Sequence, residues 1–217
     1  MSNIARKLIS VASGITPGVP PDIIGAKSTT LAQGASLTSV SHEPGDYIIF
    51  VNGNDGGFSQ VSPPPLTSGY TNLVQSPVWF RTFRVQYKVA TTSGTETVVS
   101  DDFGLLIIVR NAMSVGQSAY LQPFAFSATL GIPNLSGLDT TSSLVLAGSF
   151  NPRTTTTDDF SSVTSPFALK ESVANNTNTI FSYAAIENNT STSYSGKTLS
   201  LPSGEYTGTW AIELIGA

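Results

Sequence analysis

The sequence predicts an all-β protein: an antiparallel β-sandwich or jelly roll of about eight to ten strands, with a short N-terminal helix and an extended linker. Three observations lead there. Short runs of β-branched and aromatic residues recur along the 217-residue chain, each bounded by Gly, Pro, Asn, Asp or Ser. Charged residues make up only 11%, less than half of the usual share of about 25%, and Ser, Thr, Asn and Gly fill the difference. Such neutral polar residues suit turns and the solvent faces of strands, and make poor helix interiors. Finally, helical periodicity is convincing at one place only, the N-terminus.

That opening segment, "SNIARKLISVASG", can be capped by Ser2 or Asn3 and closed by Gly14. Ile4, Leu8 and Val11 fall on one face, with Arg6 and Lys7 beside it. So short a helix is unstable alone in water and needs a partner surface. Residues 1–14 therefore form an expected docking segment, and residues 15–27 an expected Pro/Gly linker, because "TPGVPPDIIG" favours an extended path. Residues 28–217 form the expected sandwich domain.

Within that body, "GDYIIFVNGNDGG" carries a continuous apolar run, Tyr47–Val51, as expected of a strand covered on both faces. "VWFRTFRVQYKVA" alternates strictly. Phe83, Val85, Tyr87 and Val89 point one way, and Arg84, Gln86 and Lys88 the other, toward water. "FGLLIIVRNA" (103–112), "SLVLAGSF" (143–150) and "NTIFSYAAIE" (178–187) are further buried runs. The last strand, "GTWAIELIGA", directs Trp210, Ile212 and Leu214 inward and leaves Glu213 exposed. Weaker strands are expected near 36–41, 95–100, 119–127 and 197–201. Two long loops, 57–73 with its three consecutive prolines and 151–166, are expected at the surface. No helical crossover long enough for a parallel α/β sheet stands between the strands.

Composition narrows function by exclusion. The net charge is −4, and the cations are scattered: Arg6, Lys7, Lys27, Arg81, Arg84, Lys88, Arg110, Arg153, Lys170 and Lys197. No basic field exists to hold nucleic acid. There is no cysteine, hence no disulfide framework and no thiolate metal site. No apolar run reaches the roughly 18 residues of a membrane span, and Leu8–Ala12 is too short for a signal peptide.

Chemistry-bearing motifs are few. His42, the sole histidine, stands in "SVSHEPGD", a turn before a strand, and is expected to be a surface or loop histidine without catalytic work. No G-x-S-x-G elbow occurs. The pairs Asp101-Asp102 and Asp158-Asp159 offer carboxylates for calcium or for glycoside hydrolysis, but lack the Asp/Asn/Gly spacing of a calcium loop. "NGNDGG" (52–57) lacks the Lys-Ser or Lys-Thr of a phosphate loop and is expected to be a turn. Asn134, Asn175, Asn188 and Asn189 head N-x-S/T sequons, which matter only in a secretory setting. Neither a cofactor nor a metal is expected. Tyr70, Trp79 and Phe80, beside the proline-rich loop, are the candidate ligand surface.

The ordered set "PGDYIIFVNGNDGG", "PPPLTSGYTNL", "FRVQYKVATTSGTETVV", "LLIIVRNA", "LVLAGSF" and "WAIELIGA" resembles a β-sandwich domain of structural proteins in tailed phages and related prophages. In that pattern a Gly-Asp opens an apolar strand. A Pro-rich loop leads to a Gly-plus-aromatic turn, and a Y-K-V-A strand precedes an apolar strand ending in an R-N-A turn. Tyr70 stands where the pattern carries Trp. The opening segment also resembles N-terminal leaders of virion proteins of marine and cyanobacterial tailed phages. The resemblance implies a non-enzymatic virion protein in which Ile4, Arg6, Lys7, Leu8 and Val11 dock the chain to the capsid or tail, as decoration or as a tail or fibre component. It implies other virion proteins as partners and a virion location after assembly in the host cytoplasm. A homo-oligomer, such as a trimer, is compatible with a cysteine-free, weakly charged chain. The alternative is an adhesin module that binds a host receptor or surface glycan through its Ser/Thr/Asn-rich loops.

Overall fold

The computed structural model describes residues 19–29, 33–57, 59–122, 127–150, 162–170, 173–174, 181–205 and 207–217. The expected N-terminal helix with its docking residues Ile4, Arg6, Lys7, Leu8 and Val11 lies outside the described residues, as do Asp158-Asp159 and most of the loop at 151–166. The described residues contain strands and no helix, and nearly all strand pairs are antiparallel. The all-β expectation holds.

Two large sheets face each other. One has six strands in the order β14 (Val173–Ala174), β1 (Asp22–Ser28), β7 (Phe103–Arg110), β3 (Tyr47–Asp55), β5 (Arg81–Val89) and β4 (Thr71–Gln75). Its one parallel pair is β1 with β14. The other has five, in the order β13 (Ala168–Lys170), β15 (Phe181–Ile186), β11 (Ser143–Phe150), β18 (Thr209–Gly216) and β8 (Ala112–Leu121). Between them lies the main core. Ile49, Val51, Val85 and Ile107 come from the first sheet, and Leu144, Leu146, Trp210 and Ile212 from the second.

Each large sheet is covered on its outer face as well. A two-stranded sheet of β2 (Ser36–Thr38) and β6 (Thr97–Val99) lays Leu37 and Val98 over Ile48, Phe50, Leu106 and Ile108 of the first. Outside the second sheet lie β12 (Ser162–Val163), β17 (Thr198–Glu205) and β9 (Ser127–Gly131), with the small pair β10 (Leu135–Ser136) and β16 (Ser193–Tyr194). Their Leu130, Leu135, Leu199 and Leu201 pack on Val145, Ala147, Ala184 and Ala211. Successive residues of a strand point to opposite faces. A strand buried on both faces therefore reads as a continuous apolar run. In Tyr47–Val51, Ile49 and Val51 enter the main core while Ile48 and Phe50 enter the outer one. The described strands number eighteen, more than expected, because the outer layers are made of strands two to eight residues long.

Three local expectations give way. The linker read over 15–27 becomes strand at Asp22, where β1 pairs along β7 from Asp22↔Arg110 to Ser28↔Leu105. The Gly is accommodated by a bulge: Ile23 faces Val109 and Gly25 faces Ile108, so Ile24 is the extra residue and stays 37% exposed. A Cβ at Gly25 would press on Val40 Cγ1 at 3.1 Å.

The polar face of β5, expected to meet water, is covered: the proline-rich loop, itself largely exposed as expected, runs as a strap along it. Thr82 Oγ1 donates to Ser62 O at 2.9 Å and Arg84 Nε to Pro64 O at 2.8 Å. Gln86 Nε2 donates to Thr67 Oγ1 at 2.9 Å, and Thr67 N donates back to Gln86 Oε1 at 2.8 Å. Prolines have no N–H for a sheet ladder. The alternating polar side chains of β5 make the pairing instead, which is why Thr82 and Gln86 are buried rather than wet.

Glu213, expected to be exposed, is 1% exposed. Its carboxylate accepts from Gln117 N at 3.0 Å and Asp139 N at 2.6 Å. It shares the outer face of β18 with Ala211, and that face is covered.

Candidate functional site

The Gly-Asp and R-N-A motifs meet in space. Gly45, at φ +92°, turns the chain into β3, and Asn111, at φ +62°, is the single residue between β7 in one sheet and β8 in the other. Asparagine is among the few side chains that tolerate that left-handed conformation. Arg110 grips the buried Asp46 with both arms, Nε to Oδ1 and Nη2 to Oδ2, each at 3.0 Å. Glu43 adds a carboxylate at 3.2 Å and donates its own N–H to Asp46 Oδ2 at 2.8 Å. The hydrogen bond to Asp46 holds the guanidinium above its ordinary pKa; partial burial opposes this, and the charges of Asp46, Glu43 and Asp22 add to it.

A second motif pair meets at the far side of β3. Gly69, at φ +80°, delivers Tyr70 edge-on to Phe50, with ring centroids 6.1 Å apart. The Tyr70 hydroxyl donates to Glu96 Oε1 at 3.2 Å, and Lys88 Nζ stands 5.3 Å from the Tyr70 ring centre. Lys88 Nζ also pairs with Glu96 Oε2 at 2.6 Å. Burial pushes the phenol pKa strongly up, and the Glu96 charge and hydrogen bond push it further. Beside Lys88, Tyr87 lies flat on Tyr47, 5.5 Å between centroids and 7° between planes.

These groups edge a groove of about 520 Å³. Its walls are the 69–71 turn, Tyr87, Lys88 and Val89 on one side and Thr91, Thr92, Ser93, Thr95 and Glu96 on the other. The loop 91–95 is closed over it by a reciprocal bridge, His42 N to Gly94 O at 2.8 Å and Gly94 N to His42 O at 3.0 Å. His42 is not a surface residue: it is 6% exposed, in the floor of the groove, and neither ring nitrogen has a hydrogen-bond partner. A buried polar group left so costs about 1–3 kcal/mol.

The candidate ligand residues do not form one surface. Trp79 and Phe80 pack on each other at 5.2 Å, with Trp79 bridged to Val61, ahead of the start of β5. Tyr70 lies beside its end, where Thr71 pairs with Tyr87. At about 3.3 Å per residue the strand separates them by roughly 20 Å. Tyr70 itself is buried and meets the groove through its neighbours Gly69 and Thr71. Lys88, Glu96 and the 91–95 loop were not singled out by sequence. Their Thr, Ser and Gly carry no distinctive signal, and long-range contacts bring them together: the His42–Gly94 bridge, the Tyr70–Glu96 hydrogen bond and the pairing of Thr71 with Tyr87.

Asp101 and Asp102 serve the Trp79 end of the sheet. Asp101 Oδ2 accepts from Asn52 Nδ2 at 3.1 Å and returns its N–H to Asn52 Oδ1 at 2.9 Å. Asp102 Oδ2 accepts from Asp55 N at 2.8 Å. Burial raises the Asp101 pKa; the Asn52 hydrogen bond opposes the shift and the Asp102 charge adds to it. Among the described residues no group of three or more His, Asp or Glu is placed to hold a metal ion, and no helix is long and apolar enough to cross a membrane. Of the sequons, Asn134 and Asn188 are exposed and Asn175 lies outside the described residues. Asn189 is buried, and its amide nitrogen donates to Asp139 O, Ser143 Oγ and Ser191 O. It is a structural asparagine. Comparison with family models, with curated proteins and with solved structures yields no match to this chain.

Proposed function

We propose that this chain is a non-enzymatic structural protein of a tailed-phage virion. Its body is a sandwich of jelly-roll type, displayed at the particle surface. A helix within residues 1–14 anchors it to the capsid or tail, with Ile4, Leu8 and Val11 entering an apolar groove of a neighbouring virion protein and Arg6 and Lys7 meeting acidic groups at its rim. Burying three such side chains contributes roughly 5–8 kcal/mol before ordering costs, and repetition of a self-associating module over a particle multiplies that hold.

The observation that carries the reading is the use made of the residues behind the resemblance. Asp46 of the Gly-Asp turn clasps Arg110 of the R-N-A turn. Tyr70 of the Gly-plus-aromatic turn is tied to Glu96 and packs on Phe50. The motifs thus serve to hold a scaffold together, the role expected of a displayed module. The test removes residues 1–14 and, separately, introduces Leu8→Asp. Both proteins are expected to melt as the full chain does and to be lost from purified particles. Unchanged particle association of both variants overturns the proposal. Copy number per particle by quantitative mass spectrometry then separates decoration, with many copies, from a fibre or baseplate role, with few.

A further inference from the structure

We infer that the groove between the 69–71 turn and the 91–96 loop is a binding site for an uncharged, hydroxyl-rich ligand, namely a saccharide unit. The inference rests on the groove alone and holds whether or not residues 1–14 anchor the chain to a particle. Its volume, about 520 Å³, falls within the roughly 300–1,000 Å³ of small-ligand sites.

The lining selects the ligand class. Lys88 and Glu96 are the only lining residues with fixed charge, and they neutralise each other at 2.6 Å, so the groove favours neither anions nor cations. Both are held: Lys88 by the ion pair, and Glu96 by the Tyr70 hydroxyl that donates to its Oε1 and by its own N–H, which donates to Ser39 Oγ at 3.0 Å. A carboxylate and an ammonium fixed side by side present an acceptor and a donor to one ligand hydroxyl, through charge-assisted hydrogen bonds. Thr91, Thr92, Ser93 and Thr95 of the facing loop, each with a hydroxyl, line the groove as well. Each can donate or accept, which matches the dual character of sugar hydroxyls. Gly69 and Gly94 add open backbone at the rim, since a Cβ at either would meet nothing within 4 Å.

The floor gives an independent sign. His42 lines the groove, is more than nine-tenths buried and has no hydrogen-bond partner on either ring nitrogen, a state it shares with the Gln122 amide, Trp210 Nε1 and Ser142 Oγ elsewhere in the fold.

The test titrates the full chain with neutral oligosaccharides (maltohexaose, cellohexaose, mannohexaose and chitotetraose) and follows backbone amides by NMR. At least one sugar is expected to shift Gly69, Lys88 and Thr91–Glu96 while leaving Trp79 and Phe80 in place. Thr92→Arg, an exposed change on the groove wall, is expected to weaken that sugar by about tenfold or more, with an unchanged melting temperature. His42→Leu is expected to melt higher and bind more weakly, because it removes the unsatisfied nitrogens. The inference is overturned by an absence of shifts with the whole panel, by shifts centred outside the groove, or by stronger binding of sialyllactose or heparin fragments than of any neutral sugar. Wild-type affinity in Thr92→Arg overturns it as well, and that readout stands even if His42→Leu fails to fold.

Discussion

At Asp46 a carboxylate 2% exposed receives two guanidinium N–H groups and the Glu43 backbone. Removing one partner of such a pair leaves the other without compensation, a larger effect than the pair's net worth. Asp46→Ala is expected to lower stability by about 2–3 kcal/mol, measured by urea denaturation. Arg110→Met, which keeps the stem and removes the charge, is expected to destabilise no less, because Asp46 is the more deeply buried partner. Tyr47 and Tyr183 titrate in the alkaline range. Burial lifts both phenols from 10 to about 12, helped by Tyr87 in the first case and Glu187 in the second. The folded state keeps protons that the unfolded state releases first, so their contribution is intact below pH 10 and is lost as pH rises from 10 through 12. Melting temperature is expected to fall across that window, and less steeply in Tyr47→Phe.

The strap over β5 and the clamp at Glu213 act at the scale of the element. Gln86→Ala removes both bonds to Thr67 and is expected to cost about 2 kcal/mol, with loss of hydrogen-exchange protection at the Thr67 amide as the specific sign. Glu213→Gln can accept only one of the two N–H groups its predecessor holds, and turns an NH₂ toward the other. A loss of about 1–3 kcal/mol in chemical denaturation is expected, together with faster exchange at Gln117 or Asp139. These elements mark how far the sequence could be read. The strands built from unbroken apolar residues, Tyr47–Val51 and Leu105–Val109, were legible because burial on both faces leaves no polar position. The covered faces of β5 and β18 were not, because alternation was taken to mean water on the polar side. At Gln86 and Glu213 that side holds backbone donors from another segment. β1 was hidden by the composition of Pro20, Pro21 and Gly25: the prolines stand just ahead of the strand, and a bulge absorbs the glycine. Tyr70 was legible beside its proline-rich loop, whereas the groove beside it depends on a bridge between residues more than fifty positions apart.

The whole molecule is a stack in which each large sheet separates two apolar layers, so three cores rather than one hold it together. Short connections pass between the two large sheets. Asn111 leads from β7 to β8, and the chain from β13, in the five-stranded sheet, reaches β14 at the margin of the six-stranded sheet. The placement of β1 has a mechanical consequence. A tether drawn from upstream of Asp22 along the strand axis would load the β1–β7 ladder sideways, so that its backbone bonds carry the tension in parallel and must fail together. The ladder to β7 runs the length of the strand, with β14 joining only at Lys27 and Ser28, and a single-molecule pull from the N-terminal side should meet its principal resistance there.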